Sequence, residues 1–194
     1  MKTSRILSLH FHLLKPGSVL PASAKWFCLV IFFILTGLSE IHAQQATDYS
    51  VQANIIYRFT KYIDWPVSKK SGDFVIGIIG ETPLADELKG FIANKMAGSQ
   101  KIVIKKFSAS TESYNCHILF ISEDESSSLK KIAARTAGNA ILIVSESEGL
   151  ALQGACINFI IVSDHLKLEI NKTNIEQRNL SIASELLQLG KVVK

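Results

Sequence analysis

The run Phe74-Val75-Ile76-Gly77-Ile78-Ile79-Gly80 has the length of a strand and offers no polar side chain to water. A strand of that kind must be covered on both faces, as the interior strands of parallel sheets are. Cys116-His117-Ile118-Leu119-Phe120-Ile121 and Ala140-Ile141-Leu142-Ile143-Val144 repeat the pattern. Amphipathic stretches separate these runs. Pro83 suits the first turn of a helix whose buried stripe is Leu84, Leu88, Phe91 and Ile92. A second helix is expected from Leu129 to Ala137, with Glu123, Asp124 and Glu125 ahead of it to complement its dipole. Alternation of strand and helix predicts a mostly parallel sheet with right-handed crossovers and helices on both faces. Lys101 to Phe107, where Ile102 and Ile104 are interspersed with Lys105 and Lys106, reads as a more exposed edge strand.

The flanks complete this expectation. Val51, Ile55, Ile56 and Phe59 recur at three- and four-residue spacing and predict a helix from Asp48 to Tyr62, with Thr47 or Asp48 as its N-cap. The residue before Pro66 is pushed out of helical geometry, so Trp65 sits at a corner. Ile157 to Val162 and Leu166 to Ile170 are close enough across Ser163-Asp164-His165 to form a hairpin, which gives the sheet an antiparallel edge. A last helix is expected from about Asn174 or Leu180 to Val192, with Ile182, Leu186, Leu187 and Leu189 on its apolar side. The fold class is therefore α/β: a three-layer αβα sandwich, Rossmann- or flavodoxin-like, with a mostly parallel sheet and an antiparallel C-terminal hairpin.

Residues 1–43 have another character. Lys2, Arg5, Lys15 and Lys25 precede the apolar run Trp26 to Leu38, and Ile41-His42-Ala43 offers a cleavage site before Gln44. That order is the layout of a secretory signal peptide. The run is shorter than the roughly 20 apolar residues of a membrane-spanning helix, so an uncleaved anchor is the lesser alternative. The expected mature chain is a single domain over residues 44–194, exported to the periplasm. It carries 17 basic and 16 acidic residues, a net charge near +1. A balance so close to neutral lacks the basic footprint that holds nucleic acid by its phosphates.

Few residues in the domain could carry chemistry. Gly77-Ile78-Ile79-Gly80 with Pro83 sits at a strand-to-helix turn, where a phosphate can meet helix-end N–H groups, but it lacks the dinucleotide fingerprint and reads as a structural turn. Glu123, Asp124 and Glu125 lie where open α/β sheets place ligands, yet a solvated capping loop explains them better. Ser163-Asp164-His165 has the letters of a hydrolase triad in one turn, whereas a working triad draws its members from separate segments. His117 beside Cys116 falls short of the four ligands of a zinc site. No catalytic residue, metal site or cofactor is expected. Cys116 and Cys156 are open to two readings, a disulfide in an oxidising compartment or two small buried apolar residues. Tyr57, Phe59, Tyr62 and Trp65, interleaved with Arg58, Lys61 and Asp64, are partly core, and one exposed face of them is a candidate protein-binding patch.

The stretch Ala53-Asn54-Ile55-Ile56-Tyr57-Arg58-Phe59-Thr60-Lys61-Tyr62-Ile63-Asp64-Trp65-Pro66 resembles the opening helix of YfiR-type proteins. The likeness continues through Phe74 to Gly80, Cys116 to Ser122, Ile141 to Ser145, Ile157-Asn158, Leu168-Glu169-Ile170-Asn171 and Leu180 to Leu189. The resemblance implies a non-enzymatic periplasmic protein that binds an inner-membrane diguanylate cyclase, or another membrane sensor, and keeps cyclic-di-GMP synthesis low. It further implies an outer-membrane-linked lipoprotein as a sequestering partner, and a homodimer is a further candidate assembly. In the family the cysteine of the Cys-His strand can be bonded to one on the first strand. Here Val75, Ile76 and Gly77 stand there, so that bridge is excluded and Cys156 is the remaining mature candidate. The partner-binding residues this reading assigns are Tyr57, Phe59, Lys61, Tyr62 and Trp65. The alternative is a sensory module in which a small molecule at the strand ends shifts affinity for a partner.

Overall fold

A computed structural model describes residues 48–194; the expected signal peptide and its cleavage site lie outside the described residues. Helix α1 (Tyr49–Tyr62) begins at Asp48, whose side chain accepts the N–H groups of Ser50 and Val51 at 3.0 and 3.4 Å. It buries Gln52, Ala53, Ile56 and Phe59, while Val51 stays 42% exposed, one position off the expected stripe. The helix stops at Ile63 and passes into the short strand β1 (Ile63–Asp64), the extended exit that Pro66 requires.

Strand β2 (Phe74–Ile79) is buried at every position, as its unbroken apolar run demands. It leads through α2 (Leu84–Ile92) and the two-residue β3 (Met96–Ala97) to β4 (Gln100–Phe107). β5 (Ile118–Ile121) leads through a 3₁₀ turn and α3 (Leu129–Arg135) to β6 (Leu142–Ser145). β7 (Ile157–Val162) and β8 (His165–Asn171) form the hairpin. Its tip, Ser163 and Asp164, has φ of 49° and 61°, the left-handed pair that a type I′ turn needs. The sheet runs in the order β10-β8-β7-β6-β5-β2-β4-β3, where β10 is Lys191–Val193. The β2–β4, β2–β5, β5–β6, β6–β7 and β8–β10 pairs are parallel; β7–β8 and β3–β4 are antiparallel.

From β2 the chain moves outward to β4, and from β5 it moves the opposite way to β6. Right-handed crossovers then set α2 and α3 on opposite faces, with α1 packed beside α2. The core lies in both layers, and Gly77 is needed there: a side chain at that position would meet the Phe107 ring at 2.8 Å and Leu119 at 2.9 Å.

The C-terminal part departs from expectation. In place of one long helix the chain forms α4 (Lys172–Glu176), β9 (Ser181–Ile182), which pairs with β1, α5 (Ser184–Leu187) and β10. Asn179 adopts a left-handed φ of 56°, which ends any helix from α4. A Cβ on Gly190 would stand 2.8 Å from the Leu168 carbonyl oxygen, so glycine lets the chain approach β8 and add β10. The hairpin is therefore inside the sheet, and the strand at that edge is a parallel one.

Arg178 joins this segment to α3. It is 6% exposed, and its guanidinium donates to the Thr136 carbonyl and hydroxyl at 3.1 and 3.0 Å and to the Ala133 carbonyl at 3.2 Å. The cation thus caps the carbonyl end of α3, the end that favours positive charge. Arg178→Met should lower unfolding free energy by about 2–3 kcal/mol, because it leaves buried carbonyls unpaired; urea denaturation checks this, and Arg178→Lys should recover only part of the loss.

Candidate functional site

The five residues expected at a contact surface divide into two groups. Phe59 is fully buried and stacks on Phe159, with ring centroids 6.4 Å apart. Trp65 is 5% exposed, packs edge-on to Phe74 at 5.0 Å, and donates its indole N–H to the His117 carbonyl at 3.3 Å. Both belong to the core, because partners far along the chain close over them. Tyr57, Lys61 and Tyr62 stay on the outer side of α1. Tyr57 meets Phe91 of α2 edge-on at 5.9 Å. The Lys61 and Lys95 ammonium groups lie 5.2 and 5.7 Å from the Tyr57 ring, and Lys95 lies 3.9 Å from the Phe91 ring. This is a half-buried aromatic pair under two cations, an arrangement suited to contact with a partner. Sequence reading missed Lys95 as a member and placed Phe91 only in the core stripe.

His117 is the hub of a second cluster. Its Nδ1 accepts the Val75 N–H at 3.0 Å, so Nε2, 2.8 Å from the Lys69 carbonyl oxygen, must carry the proton. The ring stacks on Phe74 with centroids 4.3 Å apart, and the Lys69 ammonium donates to the Cys116 carbonyl at 3.1 Å. The Trp-Pro and Cys-His stretches thus meet around a neutral imidazole whose role is structural.

Burial holds the His117 pKa below its ordinary 6.5, and a proton on Nδ1 would face the Val75 N–H. The unfolded chain takes up that proton first. This group's contribution is therefore present above about pH 6.5 and lost as pH falls below it. Glu146, whose pKa burial raises, opposes the trend. The prediction is a comparison: the urea midpoint should fall from about pH 7 to about pH 5 more steeply in the wild type than in His117→Asn, whose amide oxygen can still accept from Val75 without titrating.

The carboxyl ends of β2 and β5 form the crevice where an open α/β sheet would hold a ligand. Here the chain's own groups occupy it. Asp124 accepts the Glu81 N–H at 3.2 Å and the Ser122 hydroxyl, and the Ser122 backbone N–H donates to the Ile79 carbonyl at 3.0 Å. The Ser122 hydrogen bond, then that of Glu81, holds the Asp124 carboxyl below its usual range. Glu146 accepts the Glu123 N–H at 3.2 Å. Glu125 accepts from the Ser128 hydroxyl at 3.0 Å. Gly80, at φ 88°, leaves no room for a Cβ beside Ser122 and Asp124. Gly80→Ala should destabilise by at least about 2 kcal/mol, from the left-handed backbone and the clash together, in a thermal or urea melt.

The remaining candidates stay apart. Ser163, Asp164 and His165 are exposed at the hairpin tip. Cys116 and Cys156 are both free and buried, which corrects the disulfide reading. One flanks β5 and the other β7, with β6 between them; strand spacing and register set them about 14 Å apart, beyond a disulfide's reach. Burial pushes the Cys116 thiol up to about 12 and the Cys156 thiol to about 11. Among the described residues no group of three or more His, Cys, Asp or Glu is placed to hold a metal ion, and no helix is long and apolar enough to cross a membrane.

Two comparisons with known proteins bear on this arrangement. No curated protein matches the chain. A family model described as YfiR/HmsC-like matches residues 49–191, from the first residue of α1 to the first of β10. The chain therefore belongs to the YfiR/HmsC-like family.

Proposed function

We propose that the domain is a non-enzymatic periplasmic regulator that binds and represses a membrane signalling protein, a diguanylate cyclase being the partner that family membership favours. The observation that carries this reading is the state of the crevice at β2 and β5. Asp124 and Glu146 already take the N–H groups of Glu81 and Glu123, and an incoming anion would have to displace both. That also weighs against the sensory reading in which a small molecule docks at the strand ends. The surface this reading assigns to contact is the outer side of α1 and α2, where Tyr57, Phe91, Lys61 and Lys95 present aromatic area and positive charge together. Contact of this kind derives its strength from a few anchors and its selectivity from charge. The outer-membrane-linked lipoprotein and a second copy of the chain are competing occupants of that surface in this proposal.

Deleting the gene should raise cellular cyclic-di-GMP, and the full gene should restore the lower level. A version lacking residues 1–43, and so kept in the cytosol, should fail to restore it. Cyclic-di-GMP measured in cell extracts decides; an unchanged level on deletion contradicts the proposal. Lys61→Glu should weaken repression by about tenfold in effective protein concentration while the melting temperature falls by no more than a few degrees, because its side chain is exposed and its own contacts are the Tyr57 ring and the end of α1.

A further inference from the structure

On the β4 side the sheet has an edge that is only partly used. The chain turns from β3 to β4 through Gly98-Ser99, and the pairing stops at Met96↔Lys101 and Ala97↔Gln100. β4 itself continues to Phe107. A two-residue hairpin closes on a hydrogen-bonded pair, so the Gln100 backbone N–H and C=O point away from β2. By strand alternation those of Ile102, Ile104 and Lys106 point the same way. β2 occupies only the other side of these residues, so among the described residues no strand takes up their outward groups.

A cleft of about 560 Å³ lies between this edge and the end of α2. Ile92, Met96 and Ile104 supply an apolar wall, and Lys89, Lys95 and Lys101 stand around it. Met96 is 47% exposed. Lys89 is paired with Asp86 at 2.8 Å and Lys106 with Glu81 at 3.0 Å, but among the described residues Lys95 and Lys101 have no acidic partner. Lysines on an edge strand also discourage indiscriminate pairing. That role alone would not require an apolar cleft beside them.

We propose that this edge receives an extended acidic segment of a partner protein, which adds as a strand along Ile102 to Lys106 and sets its carboxylates against Lys95 and Lys101. Main-chain hydrogen bonds to the outward groups supply affinity, and Lys95 and Lys101, which lack an acidic partner among the described residues, select for acid. The half-buried aromatic pair and its cations adjoin the cleft, since the Tyr57 hydroxyl lies 3.5 Å from the Met96 carbonyl and Lys95 belongs to both. The inference rests on the reading that the domain works by protein contact, and it names where and with what chemistry.

The test uses the protein purified in the form the cell produces and the fluorescent peptide acetyl-Glu-Val-Glu-Val-Glu-Val-Glu-amide. Anisotropy should show saturable binding that weakens as salt rises. Lys95→Glu with Lys101→Glu should lower affinity by about tenfold or more. Lys106→Pro, which removes one outward N–H at a position where an edge strand tolerates proline, should lower it by several-fold with both lysines present. Circular dichroism confirms that each variant is folded. The same peptide N-methylated at every residue, which leaves no edge able to pair, should fail to bind. Equal binding of the methylated peptide, or none of the unmodified one, overturns the proposal. So does binding to phosphatidylglycerol vesicles that depends on the same lysines and displaces the peptide, since the occupant would then be a lipid surface. If the lysine variants lose the peptide but still lower cyclic-di-GMP, the edge proposal fails while the regulatory reading stands. If deletion leaves cyclic-di-GMP unchanged, the regulatory reading fails on its own and the peptide arms still decide the edge.

Discussion

The seam where β2 lies parallel to β5 carries the rest of the domain, because both strands are buried on both faces and each end of the seam is closed by a side chain flanking β5. At the amino end, His117 accepts the Val75 N–H and reaches the Lys69 carbonyl, which ties the segment leading into β2 to the start of β5. At the carboxyl end, Ser122 and Asp124 take up the Ile79 carbonyl and the Glu81 N–H. A seam sealed at both ends positions the flanking helices. It also sets the chain's own carboxylates where folds of this topology hold ligands.

From that constraint the division of labour among the aromatic residues follows. α1 must cover one face of the sheet, so the residues on its inner side are used for packing. Burying Phe59 against Phe159 contributes about 2–3 kcal/mol of the kind that fixes the helix in place. What remains on the outer side of this helix, Tyr57 with Phe91 and the two lysines beside them, is the part proposed to meet another molecule. The scaffold and the proposed contact surface are thus two sides of one helix, and on that proposal substitutions on the outer side alter partner binding without loosening the core.

The sheet was readable in the sequence wherever a residue's own neighbours decide its environment. The apolar runs of β2, β5 and β6 can exist only as buried strands, and three- and four-residue spacing marks α1 and α2. Ser163-Asp164 at the tip of two alternating runs announced the hairpin. What escaped depends on chain segments far apart. Ile182, Leu186, Leu187 and Leu189 satisfy a helical period, yet Asn179 and Gly190 break it; Gly190 is the visible signal, and its reason, the nearby Leu168 carbonyl, lies 22 positions away. Phe59 on the helical stripe and Trp65 at its corner fit core and contact roles alike in the sequence, and only Phe159 and Phe74 closing over them decides for the core. The pairing of Cys116 with Cys156 stayed open in the sequence because only strand order reveals that β6 separates them.

Effect through contact, with no chemistry of its own, is the central claim. It is tested most directly by reconstituting the candidate cyclase in vesicles with its extracytoplasmic part exposed and following GTP conversion to cyclic-di-GMP as the purified protein is added to that side. The account predicts saturable inhibition with the protein itself unchanged and no conversion of GTP by the protein alone. Cyclase activity that stays constant at every concentration of the protein would contradict it.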